Sequence, residues 1–138
     1  MTDLNSLFET YKEAVFRKDL DAFSSIFDEE VRVFDMWERW TYEGLNAWRE
    51  MAKSWFASLG TDRDVISFHD MQIQQAGEMA FVSAILRFTA VYENGEALRH
   101  LENRHTWVAR KKGHSWKIVH QHGSGPVDFR TMKVILKR

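Results

Sequence analysis

The chain has no cysteine, so disulfides and thiolate chemistry are excluded, and this suits a reducing compartment. Neither sign of charge dominates: 19 Lys and Arg face 20 Asp and Glu, for a formal net charge of −1. Without a basic excess there is no electrostatic footprint for coating nucleic acid or an anionic membrane, and neither is an expected partner. No basic segment precedes an apolar run at the N-terminus, and no apolar span is long enough to cross a bilayer. A cytoplasmic location is the expectation. Proline is nearly absent, with Pro126 the single example, and no internal repeat or low-complexity stretch occurs. What the chain has in quantity is aromatic residues, including six Trp and ten Phe. At 138 residues this is enough apolar surface to fill one core and line a cavity as well, with no room for a second domain.

Leu4, Leu7, Phe8, Tyr11 and Val15 recur at helical spacing, with Thr2 or Asp3 as the cap. Asp19 caps a short second helix carrying Leu20, Phe23, Ile26 and Phe27, which the acidic run Asp28 to Glu30 is expected to close. Val31 to Met36 alternates as a strand, which puts Asp35 on one face with Val31 and Val33. Trp48, Met51, Ala52, Trp55, Phe56 and Leu59 form the stripe of a third helix stopped by Gly60. From Val65 the period changes to two. Turns at Ala76-Gly77, Asn94-Gly95 and Lys112-Gly113 divide the rest into four strands, about Val65–Gln74, Met79–Tyr92, Leu98–Ala109 and Ser115–His122. Strands this long in a domain this small require strong curvature. The fold class is α+β, with residues 1–128 as the domain and the basic segment 129–138 as an arm or tail.

This order of elements, with the ending WKIVHQHGSG at Trp116 to Gly125, resembles the nuclear transport factor 2-like superfamily and its SnoaL-like branch. The resemblance implies a cystatin-like cone, three N-terminal helices packed on a strongly curved antiparallel sheet. KDLDAF at Lys18 to Phe23, YEGLNAW at Tyr42 to Trp48, LRFTAVYENG at Leu86 to Gly95 and VHQHGSG at Val119 to Gly125 resemble the association (hub) domain of calcium/calmodulin-dependent protein kinase II. Tyr11 and Asp35 are similar, in type and mutual spacing, to the helix-one Tyr and general-base Asp of ketosteroid isomerase.

Two readings of the pocket follow. In the first the chain is a homo-oligomeric module that binds a small organic, carboxylate-bearing molecule. The hub resemblance implies cavity arginines at Arg87 and, with a two-residue slip, Arg104; it also puts Trp48 where the hub has a histidine and Gly123 where it has a third arginine. The alternative within the strands is an internal ion pair of an arginine with Glu102 or Asp35. In the second reading an isomerase, cyclase or lyase uses Asp35 as base and Tyr11 as oxyanion donor, with Asn103 or His105 in place of the isomerase's second acid. A pure oligomerisation domain is a third alternative. No cofactor or metal is implied: His120 and His122 share a strand face, yet no third ligand accompanies them. A homodimer or larger assembly is expected through the convex face, with Trp116 and Ile118 near its centre.

Overall fold

The structure, a computed structural model, describes residues 3–138. Helix α1 (Leu4–Arg17) begins where the Asp3 side chain accepts a hydrogen bond from the Ser6 amide at 2.8 Å; Thr2, the other candidate cap, lies outside the described residues. Helix α2 (Leu20–Ser25) is capped in the same way by Asp19. It is shorter than its apolar pattern suggests, because Phe27 and the acidic run belong to strand β1 (Phe27–Phe34). Strand β2 (Tyr42–Glu43) escaped sequence reading, since two residues carry no period. Helix α3 (Leu45–Ser58) ends before Gly60, whose φ of 58° is the left-handed value a helix terminus favours in glycine. Strands β3 (Arg63–Ala76), β4 (Met79–Val91), β5 (Ala97–Lys112) and β6 (Ser115–Ser124) form the meander, and among the described residues no helix is long and apolar enough to cross a membrane.

The six strands lie in the order β2-β1-β6-β5-β4-β3. One feature departs from an all-antiparallel sheet: β1 runs parallel to β6, which makes the sheet mixed. The chain reaches β6 only after the whole meander, so β1 and β6 arrive side by side with the same direction. Register shifts interrupt four of the strand pairs, and two of these bulges bear on the site. In β3, Asp70 (φ 52°) and Met71 together face one residue of β4, between the pairs His69↔Ile85 and Gln72↔Ser83. In β6, Val119 is the extra residue between Val108↔His120 and Ala109↔Ile118.

That second bulge reverses the alternation of β6. Trp116 and Ile118 therefore turn into the core, at 5% and 1% exposure, instead of occupying the convex face. The core they join is largely aromatic. Phe23 meets Tyr11, Phe27, Trp48 and Phe56, and Trp107 meets Phe8 and Phe68, all with ring centroids 5.0–6.2 Å apart.

The C-terminal segment is docked against the domain. Strand β6 stops at Ser124 opposite Arg104, and the segment takes up the lane beside β5 that β6 has vacated. The Leu136 carbonyl accepts from the Glu102 amide at 2.6 Å, and Arg138 meets the buried Glu102 carboxylate through its backbone amide and guanidinium at 2.8–3.1 Å. The Arg138 side chain, with its amide and the nearby Arg87, holds the Glu102 carboxyl down at about 2. A depressed carboxyl stabilises the docked state above its ordinary value of 4.5, and this contribution disappears as the pH falls toward 2. The amide resonances of Glu102 and Arg138 are expected to shift together across that window; signals that remain unchanged to pH 2 would contradict the coupling.

Candidate functional site

Antiparallel register places residues of β3, β4 and β5 in lateral rows, and side-chain alternation gives each row one face. Asp64, Ala90 and Arg99 form one row; Ile66, Phe88 and Leu101 the next; Phe68, Leu86 and Asn103 a third; Ala84, His105 and Gly123 a fourth. These rows face the helices. With α1, α3 and the loop after β1 they enclose a cavity of about 940 Å³. Ligand pockets commonly run to roughly 300–1,000 Å³, so this one has room for a molecule of several fused rings.

Tyr11, Asp35, Trp48, Asn103 and His105 all line this cavity. Arg87 and Arg104 do not. Arg87 shares a row with Ser67 and Glu102, and Arg104 shares one with His69, Ile85 and Ser124, both on the convex face. Arg87 lies 3.6 Å from Glu102, the internal ion pair that the sequence also allowed, while Arg104 donates to Ser124 at 3.3 Å. Strand geometry explains the correction: Asn103 and Arg104 are neighbours and cannot point the same way. The cavity arginines are instead Arg99 on β5 and Arg39 in the loop. Neither Arg99 nor Asp64 was singled out by sequence reasoning; parity counted from the Asn94-Gly95 turn was a signal for Arg99, while the bulge in β3 separates Asp64 from its own turn.

Asp35 follows the end of β1 and has no cationic partner among the described residues. Burial raises its proton affinity, and the amides of Met36 and Trp37 only partly oppose this. Tyr11 is buried, and its hydroxyl makes no hydrogen bond among the described residues. Burial first, then the carboxylates of Asp35 and Asp64, push its ionisation far above the ordinary phenol range, so it is a firm donor. Asp64 accepts from the Trp55 indole at 3.0 Å, and burial raises its affinity for a proton as well.

Three further cavity residues carry buried polar atoms without a partner among the described residues: Trp48 Nε1, Asn103 Oδ1 and His105 Nδ1. Each orphan costs about 1–3 kcal/mol, so three around one cavity mark positions that a ligand or water satisfies. Asn103 gives its amide hydrogen to Met36 Sδ at 3.3 Å, which leaves the oxygen free. His105 stacks on Trp107 with centroids 5.2 Å apart and presses against Gly123, where an added Cβ would come within 3.2 Å of Nε2. A side chain at Gly123 would require the ring to shift by a few tenths of an ångström.

Burial, and to a lesser degree His122, lowers the His105 pKa to about 3, which keeps the imidazole neutral. A histidine depressed on folding destabilises the fold as the pH drops from its ordinary 6.5 toward 3, because the unfolded chain alone takes up the proton. The His105 ring protons are therefore expected not to titrate by NMR between pH 8 and 4. A midpoint near 6.5 would place the ring in water.

His120 and His122 stand outside the cavity, packed edge-on against Phe34, with His120 Nδ1 at 2.7 Å from the Arg32 carbonyl. Among the described residues no three potential ligands from His, Asp and Glu come together as a metal site.

The model of the SnoaL-like domain family matches residues 4–128. The chain belongs to that family. Among solved structures this SnoaL-like domain is similar to an NTF2-like protein of unknown function from Pseudomonas putida, at 21% identity and TM-score 0.85, with 98% of this chain and 92% of that one covered. It is also similar to a candidate calcium/calmodulin-dependent protein kinase II association domain from Xanthomonas campestris (16%, TM-score 0.70, 88% and 84%). A candidate ketosteroid isomerase from Shewanella frigidimarina matches at 18% identity and TM-score 0.68, over 86% and 92% of the two chains. At such identities the shared property is the fold. Comparison with curated proteins returns no match.

Proposed function

We propose that this SnoaL-like domain is an isomerase, cyclase or lyase that moves a proton next to a carbonyl group, with Asp35 as general base and Tyr11 as oxyanion donor. The observation that carries the reading is an Asp35 carboxylate free of any cation in an aromatic-walled cavity that it shares with the unengaged Tyr11 hydroxyl. Ion pairing would hold Asp35 deprotonated and occupied; burial instead leaves it a stronger base. In the step, Asp35 takes the α-proton, the C–H electron pair becomes the enolate, and the hydrogen bond from Tyr11 stabilises the oxygen. The test is deuterium exchange of α-protons in a panel of fused-ring ketones and β-keto acids, comparing wild type with Asp35→Asn. Equal rates across the panel would discard the reading.

A second reading, a module that stores a small carboxylate-bearing molecule, keeps support from Arg99. This arginine lines the cavity and has no ion-pair partner among the described residues. Small carboxylates should then raise Tm in wild type and not in Arg99→Met, because a ligand stabilises only the state it binds. Either reading fits a homodimer or larger homo-oligomer in which the convex face is covered, since Val65, Met79 and Phe81 are exposed there. Light scattering that shows a 16.3 kDa species at micromolar concentration would exclude the assembly.

A further inference from the structure

The β5 position that would carry a second acid in an isomerase-like pocket holds Asn103, whose oxygen faces the cavity and cannot donate. A carboxyl group enters the same cavity from another strand. Asp64 is the second residue of β3, 8% exposed, in a row with Ala90 and Arg99. The small Ala90 between the two longer side chains leaves the carboxyl uncovered on the cavity side. One oxygen, Oδ2, is fixed by the Trp55 indole at 3.0 Å, while Oδ1 makes no hydrogen bond among the described residues. An anchored carboxyl whose second oxygen is neither engaged nor sealed off from the ligand cavity is oriented for a substrate.

We propose that Asp64 is a second catalytic acid of this pocket, which takes up a proton as substrate fills the cavity and donates it in a hydrogen bond from Oδ1 to the carbonyl oxygen. The inference rests on the proton-transfer reading above. A substrate with fused rings expels water from the cavity, and the loss of solvation favours the neutral carboxylic acid. The groups that face Asp64 set the balance. From α1 comes the neutral Tyr11, from the residue after its end the cation Lys18, from β5 Arg99, from the end of β1 Asp35, and from α3 the Trp55 hydrogen bond and Glu50 at the same cavity. Arg99, Lys18 and Trp55 favour ionisation; burial opposes them and prevails. Once protonated, Asp64 supplies the donor that Asn103 does not.

The experiment uses 2-naphthol, a planar enol mimic, and isothermal calorimetry in buffers of different ionisation enthalpy, which counts the protons taken up on binding. Asp35→Asn serves as the background so that Asp35 itself cannot titrate. Between pH 5 and 7 this variant is expected to take up a fraction of a proton as it binds 2-naphthol. Asp35→Asn/Asp64→Asn is expected to take up none, although Asn keeps an oxygen for Trp55 and so keeps the fold. With Asp35 intact, Asp64→Ala should slow α-proton exchange by about 10²–10³-fold, the usual cost of one oxyanion donor, and Asp64→Asn should lose less. Trp55→Phe removes a bond that favours ionisation, so the alkaline limb of its pH–rate profile should move to higher pH. Unchanged proton uptake in the double variant, or an unmoved alkaline limb in Trp55→Phe, would overturn the proposal while leaving Asp35 as base. If Asp35→Asn exchanges as fast as wild type, the underlying reading fails separately. Failure of 2-naphthol to bind at millimolar concentration would overturn the pocket as an oxyanion site, and Asp64's role with it.

Discussion

Asp35→Asn is expected to lower α-proton exchange in a responsive ketone by about 10²–10⁴-fold, the range that a positioned general base contributes. Asn keeps the size and planarity of the side chain but has no basic site, so the cavity should persist while the acceptor for the proton disappears. KM should change little, because the walls that hold the substrate are Trp48, Trp55 and Phe88, not the carboxylate. On the acid side, kcat/KM should fall below a pKa higher than that of an ordinary carboxylate, as the raised affinity of Asp35 requires. A loss confined to KM would assign Asp35 to substrate binding, and a loss of under threefold in kcat would remove it from the chemistry.

Trp107→Ala should destabilise the domain by about 3–5 kcal/mol from the lost ring and its cavity, with about 1–3 kcal/mol more from the partner it strands. Trp107 is 1% exposed, packs edge-on against Phe8 and stacks on His105. Its indole donates to Gln121 Oε1 at 2.9 Å, and Gln121 is itself buried. The two contributions separate in Trp107→Phe, which retains most of the apolar ring but leaves Gln121 without its donor. That variant should cost about 1–3 kcal/mol. Urea unfolding reads both, as a fall in midpoint at constant slope. A cost below about 1 kcal/mol for the alanine variant would show that the core closes over the gap.

The sequence made legible whatever depends on neighbours along the chain. Helical periodicity, the Asp3 and Asp19 caps and the glycine turns located all three helices and the four long strands, with their ends displaced by a few residues. Tyr11, Asp35, Trp48, Asn103 and His105 line the cavity; Tyr11 and Trp48 lie on the buried faces of their helices, Asp35 just beyond β1, and Asn103 and His105 on one face of β5 because strand side chains alternate. Arg87 and Arg104 failed for the same reason. The hub resemblance implied cavity positions for them, but alternation beside Leu86 and Asn103 turns both away.

By itself the sequence determined the elements, the wealth of aromatic core and the faces of the unbulged strands, since these follow from local backbone periodicity and from the transfer of apolar side chains out of water. Only the tertiary structure decided which strands adjoin. The parallel β1–β6 pair, the seat of the C-terminal segment on Glu102 and the bulge at Val119 that buries Trp116 and Ile118 all depend on it. It also brought Asp64 and Arg99 together across Ala90 and left Asp35 without a cation. Such pairings join residues far apart in the chain, and one extra residue in a strand exchanges its two faces, so no local pattern can encode them.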